Sequence, residues 1–352
     1  MSTIALIGAR GLVGGLVGDG AAAAGIEVVE VPRTTTEAGG PALARALEAS
    51  SVVVNAASGA PGMARMLVDA ACAAGVHLVD VVPEQAHIRV LHDADRSARD
   101  AGVALVAGAG LQHLIGDTLA HLAGTATDAP REIHVAYTLP DRAALLADAS
   151  AGRRRSAARE LTAPALALVD GELCPEPIGE QRRLAWFPRP VGPAHAASVP
   201  GGEAITVPGH VAGVRTVRTY VALTGWRCEV LQFAGNLARL EAVDERLTRR
   251  IARPRPALGE ARRAAIRWAA VAEANGGDGV ARAWAYGRDP YRVTAAGALG
   301  CVQRVLAEPT LTGAMSPAGL GPPGELLDGL TSRTDLRWSI SRPDPEALWP
   351  RS

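Results

Sequence analysis

Three glycines at intervals of three, Gly8, Gly11 and Gly14, follow directly on the apolar run Ile4–Ile7. Glycine here suits close approach: no Cβ blocks a tight chain reversal, and free N–H groups at the helix-like run opening at Leu12 attract phosphate. A strand, a glycine turn and a helix start together fit the pyrophosphate of a dinucleotide. Gly8, Arg10, Gly11, Leu12, Val13 and Gly14 are the residues expected against it. The spacing is GxxGxxG rather than the tighter GxGxxG, and an ordinary glycine-rich turn is the alternative. A second set of residues could handle protons. Asp80 closes the run Val76–Asp80, Glu84 stands just beyond it, and His113 comes after Gly108-Ala-Gly110. Each is a candidate catalytic residue that could position a substrate or relay a proton. A helix cap or loop hydrogen bond is the alternative for the carboxylates, and a structural or solvent-facing role for His113. All 36 basic residues are arginine, so a Schiff-base lysine and a lysine general acid are excluded.

The elements that must position these residues read as alternating strands and helices. Ile26–Val31 is rich in β-branched residues, as a buried parallel strand should be. Pro32-Arg33-Thr34 stands at its carboxyl end, where a carboxylate would take the 2′-hydroxyl of NAD(H) and an arginine the 2′-phosphate of NADP(H). Arg33, with Thr34 beside it, favours NADP(H), and Glu30 is the opposing candidate for NAD(H). Thr35–Ser50 offers one short helix, Pro41–Ala49, before the strand Ser51–Asn55, so the adenine side lacks room for the usual helix and third strand. Met63, Met66, Leu67, Ala70, Ala71 and Ala74 fall at helical spacing, with Gly75 as a stop before the strand Val76–Asp80. Ile88, Leu91, Asp95 and Ala98 mark a helix to Gly102, and Val103–Ala107 another strand. Open parallel sheets bind ligands at the carboxyl ends of their strands. Those ends are Gly8–Gly14, Asn55–Pro61, Asp80–Glu84 and Gly108–His113, and they should converge on one crevice.

From about Thr125 the rhythm stops. Ile133–Thr138 and Arg215–Leu223 read as strands; in the latter Val217, Thr219, Val221 and Leu223 share one face and Thr216, Arg218 and Tyr220 the other. That alternation predicts a half-exposed, mostly antiparallel sheet. Pro164–Pro208 reads as loop-rich. Glu229–Ile251 and Leu258–Asn275 read as helices, Val293, Ala296, Leu299, Val302 and Val305 pack a late one, and the tail from Arg333 is polar. The fold class expected is α/β: an N-terminal Rossmann-like parallel sheet over residues 1–124, then a second α+β domain over 125–352 built on a mostly antiparallel sheet. The late helices could pack back on the first domain.

Composition narrows the function classes. Net charge is zero, which argues against nucleic-acid binding. Aromatic residues make up 3% of the chain, so Ala, Val and Leu must fill the core. Cys72, Cys174, Cys228 and Cys301 lie far apart, as buried free thiols do, and no metal site is expected. His77, within a strand, reads as a satisfied core histidine. No basic leader precedes the first strand, and no apolar run reaches the roughly 18 residues of a membrane span, so a cytoplasmic protein without membrane contact is expected. Arg153-Arg154-Arg155 and Arg249, Arg250, Arg253, Arg255, Arg262 and Arg263 could dock an acidic carrier protein or simply form a solvated face.

The loop Gly-Ala-Arg-Gly-Leu-Val-Gly, then Val-Val-Asn55-Ala-Ala, Ala-Gly75-Val-His77-Leu-Val-Asp80 and Ala101-Gly-Val-Ala-Leu-Val-Ala-Gly-Ala-Gly110 resemble the saccharopine dehydrogenase-like reductases. Val169-Asp-Gly171, Pro200-Gly-Gly-Glu203 and Gly287-Arg-Asp-Pro-Tyr291 resemble the second domain of members that include trans-acting enoyl reductases. The chain departs from them at Asp80-Val-Val-Pro-Glu84, where many have Asp-Leu-x-Gly-Glu, and at Gly110-Leu-Gln112, where Gly-Phe-Asp is common. The resemblance implies an NAD(P)H-dependent reductase whose second domain closes over the nicotinamide. It places Gly8, Gly11, Gly14 and Asn55 at the cofactor, with Ala56 and Ala57 next to them. The expected reaction is NADPH-dependent reduction of a C=N or C=C bond in a small biosynthetic molecule, free or tethered to a carrier protein, by a protein that could act as a homodimer. A non-catalytic NADP-binding sensor and a structural subunit of a biosynthetic complex are the alternatives.

Overall fold

The computed structural model describes residues 2–57, 62–138, 165–222, 258–308 and 310–342, together with Arg154 and Glu160. The chain opens with β1 (Thr3–Ile7), α1 (Leu12–Ala23), β2 (Glu27–Val31), α2 (Arg33–Ala38), α3 (Gly40–Leu47) and β3 (Val52–Asn55). It continues through α4 (Met63–Ala74), β4 (His77–Asp80), α5 (Gln85–Asp93), α6 (Asp95–Asp100), β5 (Ala104–Val106) and α7 (Leu111–Gly124). Continuous apolar runs make β1, β3, β4 and β5 strands that are buried along almost their whole length, as a parallel sheet covered on both faces requires. α4 turns Ala64, Leu67, Val68 and Ala71 inward and ends on Gly75 in the left-handed conformation.

The second half supplies β6 (Glu132–Thr138), β7 (Leu166–Val169), β8 (Glu172–Pro175), β9 (Arg182–Trp186), β10 (Pro193–Val199), α8 (Glu203–Thr206) and β11 (Thr216–Ala222). Then come α9 (Glu260–Ala264), β12 (Arg267–Gly276), β13 (Gly279–Arg288), α10 (Pro290–Ala307), β14 (Gly313–Met315), α11 (Pro323–Arg333) and β15 (Arg337–Ser341). The first sheet has six parallel strands in the order β14-β5-β4-β3-β1-β2. The second has nine and runs β15-β13-β12-β6-β11-β10-β9, with β7 beside β11 and β8 beside β7. All its pairs are antiparallel except β6 with β11. The fold is therefore α/β, a Rossmann-like sheet joined to a mostly antiparallel one. α7 lies between them: Leu114, Leu119 and Ala120 share one core with Ile133, Val135, Ala270 and Ala272 of the second sheet. α10 packs back against α1.

Several local expectations are corrected. Between β2 and β3 there are two short helices rather than one, parted at Gly39, whose φ of +59° lies in the left-handed region. The helix expected from Ile88 to Gly102 is divided at Ala94 into α5 and α6. β2 is not buried: it is the sheet's edge, and Glu27, Val29 and Glu30 are exposed because no strand among the described residues lies outside it. Pro164–Pro208 is not loop-rich but carries β7 to β10.

Leu258–Asn275 is not a helix. Beyond the short α9 it forms β12, whose Ala270, Ala272 and Ala274 lie in the core shared with α7. Small side chains there allow close helix–sheet packing, and that tertiary demand overrides alanine's helix preference. β11 is covered on both faces, since Tyr220 and Ala222 pack with Ala185 and Phe187 of the β9 hairpin. The tail from Arg333 contains β15, which completes the second sheet. The helix expected over Glu229–Ile251, Leu223, Cys228, and Arg153, Arg155, Arg249, Arg250, Arg253 and Arg255 of the arginine clusters lie outside the described residues. Among those described, no helix is long and apolar enough to cross a membrane.

Candidate functional site

At the carboxyl end of β1 the chain reverses through Gly8, whose φ is +82°. The Gly11 amide donates to the Gly8 carbonyl at 2.8 Å, closing the turn that launches α1. A Cβ on Gly14 would stand 2.0 Å from the Gly8 oxygen, so α1 can approach β1 this closely only with glycine at that position. Gly11 differs: at φ −79° any residue fits, and a Cβ there would meet nothing within 4 Å except the Gly8 oxygen at 3.1 Å. The absent side chain at Gly11 thus leaves open space over the loop. The N–H groups of Leu12, Val13 and Gly14 have no intrahelical acceptor, and no side chain caps them. A helix start of this kind concentrates positive potential and unpaired donors, so the residues present fit a pyrophosphate.

Arg10 projects from the turn, 91% exposed, and its Nε lies 3.1 Å from Glu30 Oε1 at the end of β2. Arg33 is the first residue of α2, 88% exposed, with its Nε 2.6 Å from Glu37 Oε1. Thr34 follows it on the surface. Two exposed guanidinium groups therefore flank the end of β2, and the Glu30 carboxylate already faces one of them.

The next two strand ends are braced from below. Asn55, fully buried, donates from Nδ2 to Asp80 Oδ2 at 2.9 Å and accepts the Ala57 amide on Oδ1 at 3.1 Å. The Ala56 amide donates to Ile7, tying this loop back to β1. Asp80 Oδ1 accepts the Val82 amide at 2.8 Å, and its Oδ2 is 2.9 Å from His87 Nε2 on α5. Glu84 is the N-cap residue of α5 and is 7% exposed. His77 stands at the opposite, amino end of β4, its Nδ1 accepting the Ala104 amide at 2.9 Å, and burial lowers its pKa.

Beside these strand ends the second domain is fastened to the first. Gln85 donates to the carbonyls of Leu166 at 2.8 Å and Gly201 at 2.7 Å and accepts the Leu166 amide at 2.8 Å. A Cβ on Gly202 would stand 2.4 Å from Ile88 Cδ1 and 2.7 Å from His113 Nδ1. The strap Pro200–Glu203 therefore lies directly on α5 and α7. His113 is 1% exposed. Its Nδ1 is 3.8 Å from Glu203 Oε1, an ion-pair distance rather than a hydrogen bond, and its Nε2 is 3.5 Å from Thr206 Oγ1. Burial depresses the His113 pKa, but the Glu203 and Asp117 carboxylates outweigh it and the net direction is upward. Glu203 also faces the Tyr137 hydroxyl and accepts from Thr219 Oγ1 at 2.8 Å.

The four strand ends thus lie side by side: the Gly8 turn abuts Ala56 and Ala57, Asn55 holds Asp80, and the Ala109 amide donates to the Asp80 carbonyl at 2.7 Å. Residues 58–61 of the second end are outside the described set. All three candidate proton carriers are buried. Asp80 is fully buried on protein donors, His113 is enclosed by Gly108 and Gly202, and Glu84 begins a helix. Asp80 thus braces Asn55, Val82 and His87, and His113 lies against Glu203 and Thr206. Sequence reading missed Gln85, His87, Asp117, Tyr137, Thr206 and His210, which complete these networks. One signal was available: His113, Asp117 and His121 recur every four residues and so share one face of a helix.

No family model and no curated protein matches the chain. Among solved structures it is similar to apo saccharopine dehydrogenase (L-Glu forming) from Saccharomyces cerevisiae, at a TM-score of 0.56 and 13% identity over 97% of this chain and 100% of that one. It also matches an oxidoreductase from Agrobacterium radiobacter in complex with NAD+, L-tartaric acid and magnesium, at a TM-score of 0.40 and 13% identity over 99% of each chain. The first likeness establishes a shared fold, the two-domain saccharopine dehydrogenase-like arrangement.

Proposed function

We propose, from the fold shared with saccharopine dehydrogenase, that the protein is a nicotinamide-dependent oxidoreductase that prefers NADPH and reduces a C=N or C=C bond of a small molecule. The observation that carries this reading is the Gly8–Gly14 turn: uncapped amides at the head of a twelve-residue helix, under a space that a Cβ at Gly11 would fill. In this reading the amides of Leu12, Val13 and Gly14 hold the pyrophosphate, and Asn55, Ala56 and Ala57 border the neighbouring strand end. Arg10, Arg33 and Thr34 face the adenosine ribose. Glu30, the residue that would favour NAD, is already paired with Arg10 at 3.1 Å, which supports the preference for the 2′-phosphate. The nicotinamide, when bound, would supply the reducing equivalents. The chain's own part is to position cofactor and acceptor. With Asp80, His113 and Glu84 buried, the proton is taken from water.

The burial of all three candidate acids also favours a second reading, an NADP-binding sensor without turnover. Titration of NADPH and NADH against wild type and Gly11→Val tests the first step. Wild type should bind NADPH, and the variant should keep its fold and lose binding, because the new side chain occupies the phosphate approach. Unchanged affinity in a folded variant overturns the dinucleotide site. Oxidation of bound NADPH with any imine, enone or enoyl thioester then separates reductase from sensor.

A further inference from the structure

Behind the strap lies a run of polar side chains that the proposed reaction does not use. On α7, His113, Asp117 and His121 succeed one another at intervals of four. Opposite them stand Glu203, Thr206 and His210, in α8 and just past the 3-10 turn Val207–Gly209. The pairs interlock in order. His113 faces Glu203; Asp117 Oδ1 accepts from Thr206 Oγ1 at 2.7 Å and lies 2.8 Å from His210 Nε2; the Nδ1 atoms of His121 and His210 are 3.2 Å apart. Asp117 Oδ2 accepts the Ala318 amide at 3.0 Å, so the chain segment after β14 is drawn in too. His113, Asp117, Glu203 and Thr206 are all buried, and His121 and His210 lie nearer the surface.

Two buried carboxylates that both act on His113 need positive charge beside them, since a buried charge without a partner is strongly destabilising. Among the described residues, the titratable and hydroxyl groups that face this pair are few. From α7 come His113 and His121, from the opposite segment Thr206 and His210, from β11 Thr219, from β6 the neutral Tyr137, from α10 the Cys301 thiol, and from the segment after β14 Ser316. From α5 and the β5–α7 turn, Ile88 and Gly108 pack close to His113 beside the strap. Of the two α7 histidines, His113 feels both carboxylates and His121 only Asp117.

We propose that this zipper is a proton-operated latch: with His113 protonated, residues 203–210 of the second domain are held on α7, and loss of that proton frees the segment and the strap that leads into it. The signs agree with the geometry. His113, raised above the ordinary histidine value, contributes its full stabilisation below that value and loses it as pH rises through the folded one. Asp117, held down by His210 and His113 against the opposing effect of burial, stays ionised until pH falls far below the carboxylate range. At the rim, burial and His210 lower His121, so its protonation opposes the latch only on the acid side. The latch is therefore closed below the ordinary histidine value and opens as pH rises through the higher value His113 has in the fold. It does not depend on the dinucleotide reading.

Hydrogen–deuterium exchange on the full chain, corrected for intrinsic rates, tests it at about pH 6 and about pH 8.5. In wild type the protection of residues 203–210 should fall at least roughly tenfold at the higher pH, while β1 and β3 stay unchanged. His113→Gln, neutral at every pH, should show the low protection at both. Glu203→Gln removes one carboxylate and should show high protection at both. Equal wild-type protection at the two pH values, or a pH dependence that survives in both variants, overturns the proposal. If His113→Gln does not fold, the ring-proton titration of His113 in wild type decides by NMR: a ring already neutral at about pH 6 overturns the latch.

Discussion

At the Gly8–Gly14 turn the chain has removed its side chains; at the zipper between α7 and residues 203–210 it has crowded them together. The turn sits at the open end of the first sheet and holds its shape through backbone contacts, a 2.8 Å bond from Gly11 to Gly8 and an approach at Gly14 that no Cβ tolerates. The zipper sits where the two sheets meet, with Asp117 fully buried and each of its oxygens engaged. A surface made of bare amides can accept an incoming anion because nothing within the protein has satisfied it. A core made of paired charges is already satisfied, and what it can exchange is a proton. The same chain thus keeps one site unfilled for a ligand and another filled but titratable.

Three substitutions press on this contrast, in falling order of effect. Asp117→Ala should be the most damaging, at about 3–5 kcal/mol of unfolding free energy, because it leaves His210, Thr206 and the Ala318 amide without their buried partner. Urea denaturation measures it. Gly14→Val should destabilise by about 1–3 kcal/mol, since α1 must retreat from a clash at 2.0 Å with the Gly8 oxygen. It should also weaken NADPH binding, read by the same denaturation and by titration. Should Gly14→Val prove costlier than Asp117→Ala, the division between a backbone-held turn and a side-chain-held zipper fails. Arg33→Ala should leave stability unchanged, because its pair with Glu37 is solvent-exposed. It should lower the NADPH-to-NADH affinity ratio by roughly ten- to hundredfold, the worth of a charge-assisted bond to the 2′-phosphate. An unchanged ratio would move that role to Arg10.

The contrast also separates what the sequence made legible from what it did not. The first sheet announces itself because each strand is a short apolar run with its own turn and helix after it, so β1, β3, β4 and β5 and their carboxyl ends can be read locally. Gly75 stops α4 by its backbone alone, again a local fact. The second sheet depends on neighbours distant in the chain. Trp268–Asn275 is alanine-rich and reads as helix until α7 is known to lie against it. Arg337–Ser341 reads as a polar tail until β13 is beside it. The candidate acids were found by strand topology, which placed them near the crevice. What topology could not give was the direction of their side chains, and Asp80 and His113 turned inward because Asn55, His87 and Glu203 wait there. Glu203 itself stood in view within Pro200-Gly-Gly-Glu203, but its partners lie on three other elements.

The outermost strand of the first sheet, Gly313–Met315 on the free edge of β5, sets an order of events during synthesis. A ribosome that has released α7 has delivered five of the six strands, with the amides and carbonyls along one side of β5 still bare. The missing strand arrives only after the entire second sheet except β15 has emerged. Until then the nascent first domain carries an open edge able to recruit a wrong strand, from its own later segments or from a neighbouring chain. The domain begun first is thus among the last to be sealed, and its folding rate is tied to contacts of long sequence separation rather than to its own local rhythm.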